Sequence, residues 1–172
     1  LGEYSALVAA QGIDFKTGLE LVKIRSESMA KAGQDNPGTM AAIIGMDLES
    51  VTTLAQEIST NQIVVAANHN TENQIVISGN IKAVQNFTDI AKEHGARMAI
   101  PLNVSGAFHS PLMQPAREEL ADKLDSIQIS DINIPLYSNF SAEPTMNGLN
   151  IKQSLISQPV SYTHLRAHET IN

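Results

Sequence analysis

The chain has 172 residues, the length of one domain or of one domain with a small insertion. Hydrophobic residues make up 42% of the sequence and charged residues 17%, a balance that excludes global disorder. The net charge is −7 and there is no cysteine, which argues against nucleic-acid binding and excludes a disulfide scaffold and a cysteine nucleophile.

The first two elements predicted along the chain are helices. Small apolar residues over 4–10 favour a closely packed helix that ends at Gly12. Asp14 suits the cap of a second helix over 15–32. Helical spacing predicts that one face of this second helix packs on the core through Phe15, Leu19, Val22 and Met29.

The stretch from 38 to 104 alternates between strand-like and helical hydrophobic periods. Strands are predicted over 39–46, 63–67, 74–78 and 97–104, and helices over 48–58 and 81–91. The polar stretch 68–73 is predicted to separate the second strand from the third. The resulting order, β-α-β-β-α-β, is typical of a ferredoxin-like subdomain.

A further helix is predicted after residue 110, with its core-facing side chains at Met113, Ala116, Leu120 and Leu124. Ser110 and Pro111 resemble a helix start, but Pro115 removes a backbone donor one turn later, so we expect the helix itself to begin near Gln114. A strand follows over 132–137, where Pro135 indicates an edge position.

The two ends of the sequence are unusual. The N-terminus has no initiator Met and no signal-peptide pattern, and we expect it to begin inside a longer sequence. Residues 160–172 resemble the translation of a transposase adapter used in sequencing libraries, and we expect this tail to be non-native. His164 and His168 are four residues apart, but without a third ligand we predict no metal site there.

Three places in the sequence could carry chemistry. His109 lies in a loop between a predicted strand and a helix, which suits a general base or, alternatively, a helix-capping histidine. Leu1 and Gly2 precede a helix of small residues, a pattern found after a nucleophile elbow but also at ordinary helix starts. Arg25 has apolar neighbours, which indicates either a buried carboxylate partner or an arginine that extends to solvent.

Several strings together resemble the malonyl-CoA:acyl carrier protein transacylases of bacterial fatty-acid synthesis, over about 1–158. Arg25 and Met29 belong to the matching pattern. The strings occur in the family's order: LGEYSALVAA at 1–10, GTMAAIIG at 38–45, AANHN through QIVISG over 66–79, GAFHSPLM at 106–113, and LISQPV at 155–160.

The resemblance implies a catalytic set. The family's nucleophile is the Ser of a Gly-His-Ser-Leu-Gly-Glu string, which would directly precede Leu1 and is absent from this sequence. Leu1 matches the residue whose backbone N–H helps to form the oxyanion hole. His109 matches the base that activates the serine, and Gln158 matches the residue whose backbone carbonyl orients that histidine. The sequence as given is therefore expected to be inactive in acyl transfer.

The resemblance also implies a substrate-binding set. Arg25 matches the arginine that clamps the malonyl carboxylate, Met29 a side chain near the acyl pocket, and Asn68 an active-site asparagine. In related polyketide-synthase acyltransferases an Ala-Phe-His-Ser string accompanies malonyl preference, and 107–110 carries that string, with Phe108 expected to narrow the pocket.

For the whole molecule the resemblance implies an α/β fold: an incomplete hydrolase-like parallel sheet with a ferredoxin-like subdomain. The expected division assigns 38–104 to the small subdomain, and 1–37 with 105–159 to the large one. The implied enzyme is an acyl-carrier-protein S-malonyltransferase, cytoplasmic and monomeric at full length. Its partners are malonyl-CoA and acyl carrier protein, with no nucleic acid or membrane, and it uses no metal or other cofactor.

Three alternatives stay open. The first is the acyltransferase domain of a polyketide synthase. The second is a serine esterase or thioesterase. Such an enzyme would need an Asp or Glu to orient His109, and Arg25 would have no role in its reaction. The third is a non-catalytic ferredoxin-like binding module built on 38–104.

Overall fold

The protein is described by a computed structural model over residues 1–161. The metal pair considered at His164 and His168, and all but two residues of the tail expected over 160–172, lie outside the described residues. The six helices in this span are α1 Gly2–Ala9, α2 Phe15–Asp35, α3 Leu48–Ile58, α4 Ile81–Ile90, α5 Gln114–Asp125 and α6 Gly148–Ser157. The six strands are β1 Gly38–Ile44, β2 Val64–Thr71, β3 Gln74–Asn80, β4 Met98–Pro101, β5 Leu136–Tyr137 and β6 Pro144–Thr145.

Side-chain caps fix where three of the helices begin. Asp14 accepts a hydrogen bond from the Thr17 N–H at 2.9 Å, and Asp47 accepts one from the Ser50 N–H at 2.7 Å. Asn147 does the same for α6. A 3₁₀ turn, Pro111–Met113, precedes α5, which begins at Gln114 as the sequence predicts. None of the helices within 1–161 combines the length and the apolar character that crossing a membrane requires.

The main sheet has the strand order β2-β3-β1-β4, and every neighbouring pair is antiparallel. Helices α3 and α4 cover one face of this sheet. Phe87, Ile43 and Ile77 are fully buried between the helices and the sheet. This topology confirms the predicted β-α-β-β-α-β arrangement, while the residue boundaries of the subdomains remain a prediction.

The core is divided along the chain. The cluster under α3 and α4 draws all of its side chains from between residues 41 and 99. A second cluster joins α1, α2, α5 and α6 around Leu7, Leu21 and Leu120. The strand pairs within 1–161 are all antiparallel, so no pair of the implied hydrolase-like parallel sheet lies in this span, and the second cluster is built mainly from helices.

The buried face of α2 differs from the predicted one. Phe15 and Leu19 are 73% and 59% exposed, whereas Gly18 and Leu21 are buried. A Cβ on Gly18 would lie 2.5 Å from Val8 Cγ2, so α1 packs against α2 where there is no side chain. Small residues thus decide where α1 approaches α2, so the apolar spacing was wrong for Phe15 and Leu19 but right for Val22 and Met29, which pack in the core.

Three strands also differ from their predicted extents, and the one predicted over 97–104 is limited to Met98–Pro101. The polar residues Asn68 and His69 continue β2 and pair with Val76 and Ile75, so only residues 72–73 form the turn. A bulge between Ala66 and Asn68 accommodates the change in alternation. The strand predicted over 132–137 is reduced to Leu136–Tyr137, directly after Pro135, whose missing N–H limits pairing.

Candidate active site

One cavity of about 370 Å³ lies between α2, β1 and the connection that joins β4 to the turn before α5. It gathers side chains that are far apart in the sequence. Its lining residues are Arg25, Ser26, Met29, Ala30, Met40, Ser105, Phe108 and His109.

His109 lies in the loop that precedes the 3₁₀ turn and α5. Its backbone φ is +59°, in the left-handed region that residues other than glycine seldom adopt. Its Nδ1 lies 3.1 Å from the backbone carbonyl oxygen of Gln158. Because a carbonyl can only accept, this hydrogen bond requires the proton on Nδ1 and leaves the lone pair of Nε2 available. Such a histidine can accept a proton at Nε2.

The environment of His109 favours its neutral form. Burial lowers the pKa of the imidazole below its ordinary value of 6.5, and the positive charge of Arg25 lowers it further. The hydrogen bond to Gln158 acts in the opposite direction and is outweighed. The ring is therefore uncharged, and able to act as a base, to a lower pH than a free histidine.

Ser110 holds the loop that carries His109. Its Oγ donates a hydrogen bond of 2.6 Å to the Ala107 carbonyl and accepts one of 3.3 Å from the Leu112 N–H. The side chain is fully buried, so these two bonds satisfy a group that would otherwise be costly to bury. The serine thereby stabilises the turn on which the histidine sits.

Arg25 projects from α2, and its Nη2 donates a hydrogen bond of 3.0 Å to the side-chain oxygen of Gln158. The sequence left open a buried carboxylate partner or an arginine that extends to solvent, and the structure instead gives Arg25 a neutral amide as partner. An amide orients the guanidinium without neutralising its charge. The cavity therefore carries a positive charge that an anionic ligand can neutralise.

The other predicted site residues fall into two groups. Met29, which is buried, and Phe108, which is half-buried, line the cavity with Arg25 and His109. Leu1 and Asn68 are not among its lining residues. Leu1 directly precedes α1, and Asn68 pairs with Val76 on the sheet face that packs against Phe108.

Several residues of this site were not predicted. Ser26 lies three positions before Met29 and four before Ala30, so these residues share one side of α2 and could have been found from helical geometry. Met40 lies on β1 inside a motif whose role the sequence did not reveal. Outside the cavity lining, Glu3 was also not predicted to be buried; it is 7% exposed, and its Oε1 accepts a hydrogen bond of 3.0 Å from the Asn139 N–H.

Glu3 connects α1 to the turn after β5. Burial raises the pKa of its carboxyl group above the ordinary value of 4.5, while the hydrogen bonds from Asn139 and Ser138 partly offset that effect. As for metal ligands, in the span 1–161 no three His, Cys, Asp or Glu side chains lie close enough together to hold an ion.

Comparisons with known proteins identify the family of the chain. The model of the acyl transferase domain family matches residues 1–168. A malonyl CoA-acyl carrier protein transacylase of Bacillus subtilis is 45% identical over 100% of this chain and 54% of its own length. The chain thus spans about half the length of the curated relatives it matches.

Solved structures show the same coverage. An acyl carrier protein S-malonyltransferase from Vibrio cholerae superposes with a TM-score of 0.90 at 37% identity, over 95% of this chain and 53% of that one. A malonyl-transacylase in complex with a type II polyketide-synthase acyl carrier protein superposes with a TM-score of 0.89 at 36% identity, over 94% and 52%. These superpositions confirm the predicted α/β fold class.

Proposed function

The chain belongs to the acyl transferase domain family, and on that basis we propose that the whole protein transfers a malonyl group from malonyl-CoA to the thiol of an acyl carrier protein. The transfer passes through a malonyl-serine ester and serves fatty-acid synthesis. The observation that carries the proposal is that Arg25 and His109 line one cavity while both are hydrogen-bonded to Gln158.

The first half-reaction forms an ester at the serine that precedes Leu1 in the family's motif. His109 Nε2 takes the proton of the serine hydroxyl as its oxygen attacks the thioester carbonyl. The bond from carbon to the sulfur of coenzyme A breaks, and the leaving thiolate receives the proton from His109. The Leu1 N–H donates to the oxyanion of the tetrahedral intermediate.

The second half-reaction runs the same steps with the carrier thiol. His109 accepts the thiol proton, the sulfur attacks the ester carbonyl, and the serine oxygen regains the proton. An acyl group moves between sulfur and oxygen and one proton is shuttled, so the reaction balances without a redox cofactor or a metal. Gln158 keeps the histidine in the required tautomer through its backbone carbonyl.

Arg25 supplies the selectivity for malonyl. Its planar guanidinium can form two parallel hydrogen bonds with the free carboxylate of a malonyl group, which a lysine ammonium cannot do. Met29 and Phe108 form the apolar sides of the acyl pocket. Asn68, on the sheet face towards Phe108, is assigned a role in binding the remainder of the substrate.

The proposal includes the properties that the resemblance implies for the whole enzyme: a cytoplasmic location, a monomeric state, and no interaction with nucleic acid or membranes. An acyl carrier protein as the acceptor is supported by the complex of a related malonyl-transacylase with such a carrier. The division into 1–37 with 105–159, and 38–104, is likewise proposed.

A second candidate is the acyltransferase of a polyketide synthase. It is favoured by the carrier in that same complex, which belongs to a type II polyketide synthase. The chemistry at His109 and Arg25 would be the same, and only the identity of the accepting carrier differs. Comparison of transfer rates to carriers from the two kinds of synthase separates the candidates.

The test is to incubate the whole protein with labelled malonyl-CoA and then add an acyl carrier protein. We expect one malonyl group bound per protein as an ester and its subsequent transfer to the carrier thiol. The 172-residue chain is the matched control and is expected to form no ester, since its sequence contains no serine directly before Leu1. Release of free malonate without transfer to the carrier would favour the hydrolase alternative.

A further inference from the structure

Two glycines bring α2 and the loop that carries His109 into backbone contact. An ideal Cβ on Gly33 would lie 2.8 Å from the Ser105 carbonyl oxygen and 3.5 Å from Gly106 Cα. A Cβ on Gly106 would lie 3.3 Å from Gly33 Cα. Both residues are buried, so the two segments touch where neither has a side chain.

Each of the two segments in contact also lines the cavity. Met29 and Ala30 line it from α2, one turn before Gly33. Ser105 and Phe108 line it from the loop, on either side of Gly106. The distance between these walls is therefore fixed next to the cavity, at the point where the backbones meet.

The loop has a second close contact, with the residue at which β1 begins. Ala107 packs into the position that a side chain on Gly38 would occupy, since a Cβ on Gly38 would lie 2.5 Å from Ala107 Cβ. The loop at 106–107 is thus held between Gly33 at the end of α2 and Gly38 at the start of β1. A methyl group added at the Gly33 contact must displace the loop relative to α2.

We propose that Gly33 and Gly106 are specificity-determining residues, whose backbone contact sets the width of the acyl cavity so that it admits malonyl and excludes an acyl group with a methyl branch at carbon 2. This inference rests on the proposed function. A pocket rejects one extra carbon only if its walls cannot separate. Met29 and Phe108 pack in one apolar cluster with Ala32 and Met113, so the two segments are also joined through their side chains.

The test compares Gly33→Ala, Gly106→Ala and the control Gln34→Ala in the whole protein. Gln34 is exposed on α2 beside Gly33, so its replacement changes helix propensity without touching the loop. The measured quantity is kcat/KM for methylmalonyl-CoA divided by that for malonyl-CoA. We expect this ratio to rise roughly tenfold in Gly33→Ala, the lower end of what one methyl group contributes in a pocket. The rise is expected to be smaller in Gly106→Ala, whose contacts are looser.

A second readout does not depend on activity. In the 172-residue chain, separation of the walls exposes His109, so its pKa, followed by NMR, should rise towards 6.5 in Gly33→Ala and stay unchanged in Gln34→Ala. A separate outcome is that the wild-type protein transfers no malonyl group while the pKa of His109 still rises in Gly33→Ala. In that outcome the proposed function and the specificity for malonyl are wrong, but the glycine contact does set the width of the cavity.

Circular dichroism confirms that each variant is folded. The inference is overturned if the folded variants keep the substrate ratio within about twofold of wild type, well below the tenfold scale of one methyl group. It is equally overturned if neither glycine variant folds, because the contact would then serve the stability of the fold and not the width of the cavity.

Discussion

Arg25 donates a hydrogen bond of 3.0 Å from Nη2 to the side-chain oxygen of Gln158, 133 positions further along the chain. The backbone carbonyl of the same glutamine lies 3.1 Å from His109 Nδ1. Gln158 thus contacts the cationic residue through its side chain and the histidine through its backbone. A substitution at this position can therefore separate the two contacts.

Gln158→Ala removes the contact with Arg25 and keeps the carbonyl that faces His109. We expect the KM for malonyl-CoA in the whole protein to rise about tenfold, the size of one hydrogen bond to a charged group. The pH dependence of kcat should be unchanged, because the backbone contact of His109 is retained. Gln153→Ala, an exposed glutamine on α6, is the matched control. A shifted pH profile with an unchanged KM would contradict this separation.

Arg25→Ala removes the cation that we assign to the malonyl carboxylate. We expect kcat/KM for malonyl-CoA to fall about a hundredfold, since hydrogen bonds to charged groups contribute about 1.5–3 kcal/mol each. The value for acetyl-CoA, which has no free carboxylate, should change little. The control is Lys23→Ala, an exposed cation on the same helix, 4.0 Å from Glu27. An unchanged preference for malonyl over acetyl would rule out the clamp.

His109→Ala should lower kcat of the whole protein by about 10²–10⁴, the usual contribution of a general base. In the wild type, transfer requires a neutral imidazole and is lost as the pH falls through the pKa of His109. Because burial lowers this pKa, we expect the midpoint of the acid limb below 6.5. His94→Ala, at an exposed histidine, should leave the profile unchanged. A midpoint at or above 6.5 would contradict the burial of the ring.

Glu3 should make stability depend on pH. Its pKa is raised in the folded state, so the native protein binds a proton more readily than the unfolded chain between the ordinary value of 4.5 and the folded value. This contribution to stability is complete below pH 4.5 and is lost as the pH rises through the folded pKa. Urea unfolding of the 172-residue chain should show this decrease, and Glu3→Gln should remove it.

The control for this experiment is Glu49→Gln. Glu49 also lies in the first turn of a helix, but it is exposed. Its replacement should leave the pH dependence of the unfolding free energy as it is in the wild type. If both variants behave alike, the pH dependence does not come from the buried carboxyl group of Glu3.

The segment 38–104 should fold by itself, because the cluster under α3 and α4 uses only side chains from within it. We expect a peptide of these residues to unfold cooperatively in urea. In the 172-residue chain Phe87→Ala, at a fully buried ring, should cost about 3–5 kcal/mol of unfolding free energy. Gln85→Ala, exposed on the same helix, should cost little. A peptide with a random-coil spectrum would show that 38–104 is not an independent unit.

Local periodicity was sufficient to predict much of the fold. The alternation between spacings of two and of three to four residues gave the order of β1, α3, β2, β3, α4 and β4. It could not give the packing of α2, because contacts at Gly18 and Gly33 depend on missing side chains, which carry no hydrophobic signal. The extent of β2 was missed because its last residues are polar but still pair with β3.

The candidate site was predictable to a different degree for each residue. His109 and Arg25 could be singled out from their own chemistry and their neighbours. Gln158 came from the family resemblance alone, because a backbone carbonyl is the same in every residue type. Outside the site, the buried carboxyl group of Glu3 was not predicted, because its partner, the Asn139 N–H, is 136 positions away and leaves no local pattern.

The contact between Gly33 and Gly106 also has an evolutionary consequence. It places side by side the points at which the chain leaves for the four-stranded sheet and returns from it. A segment whose two ends lie together can be gained, lost or exchanged as a module without displacing the residues that flank it. Exchange of this module would replace the part of the cavity lining at Met40, while Arg25 and His109, which lie outside the module, would be kept. Related proteins could acquire new acyl preferences by this route.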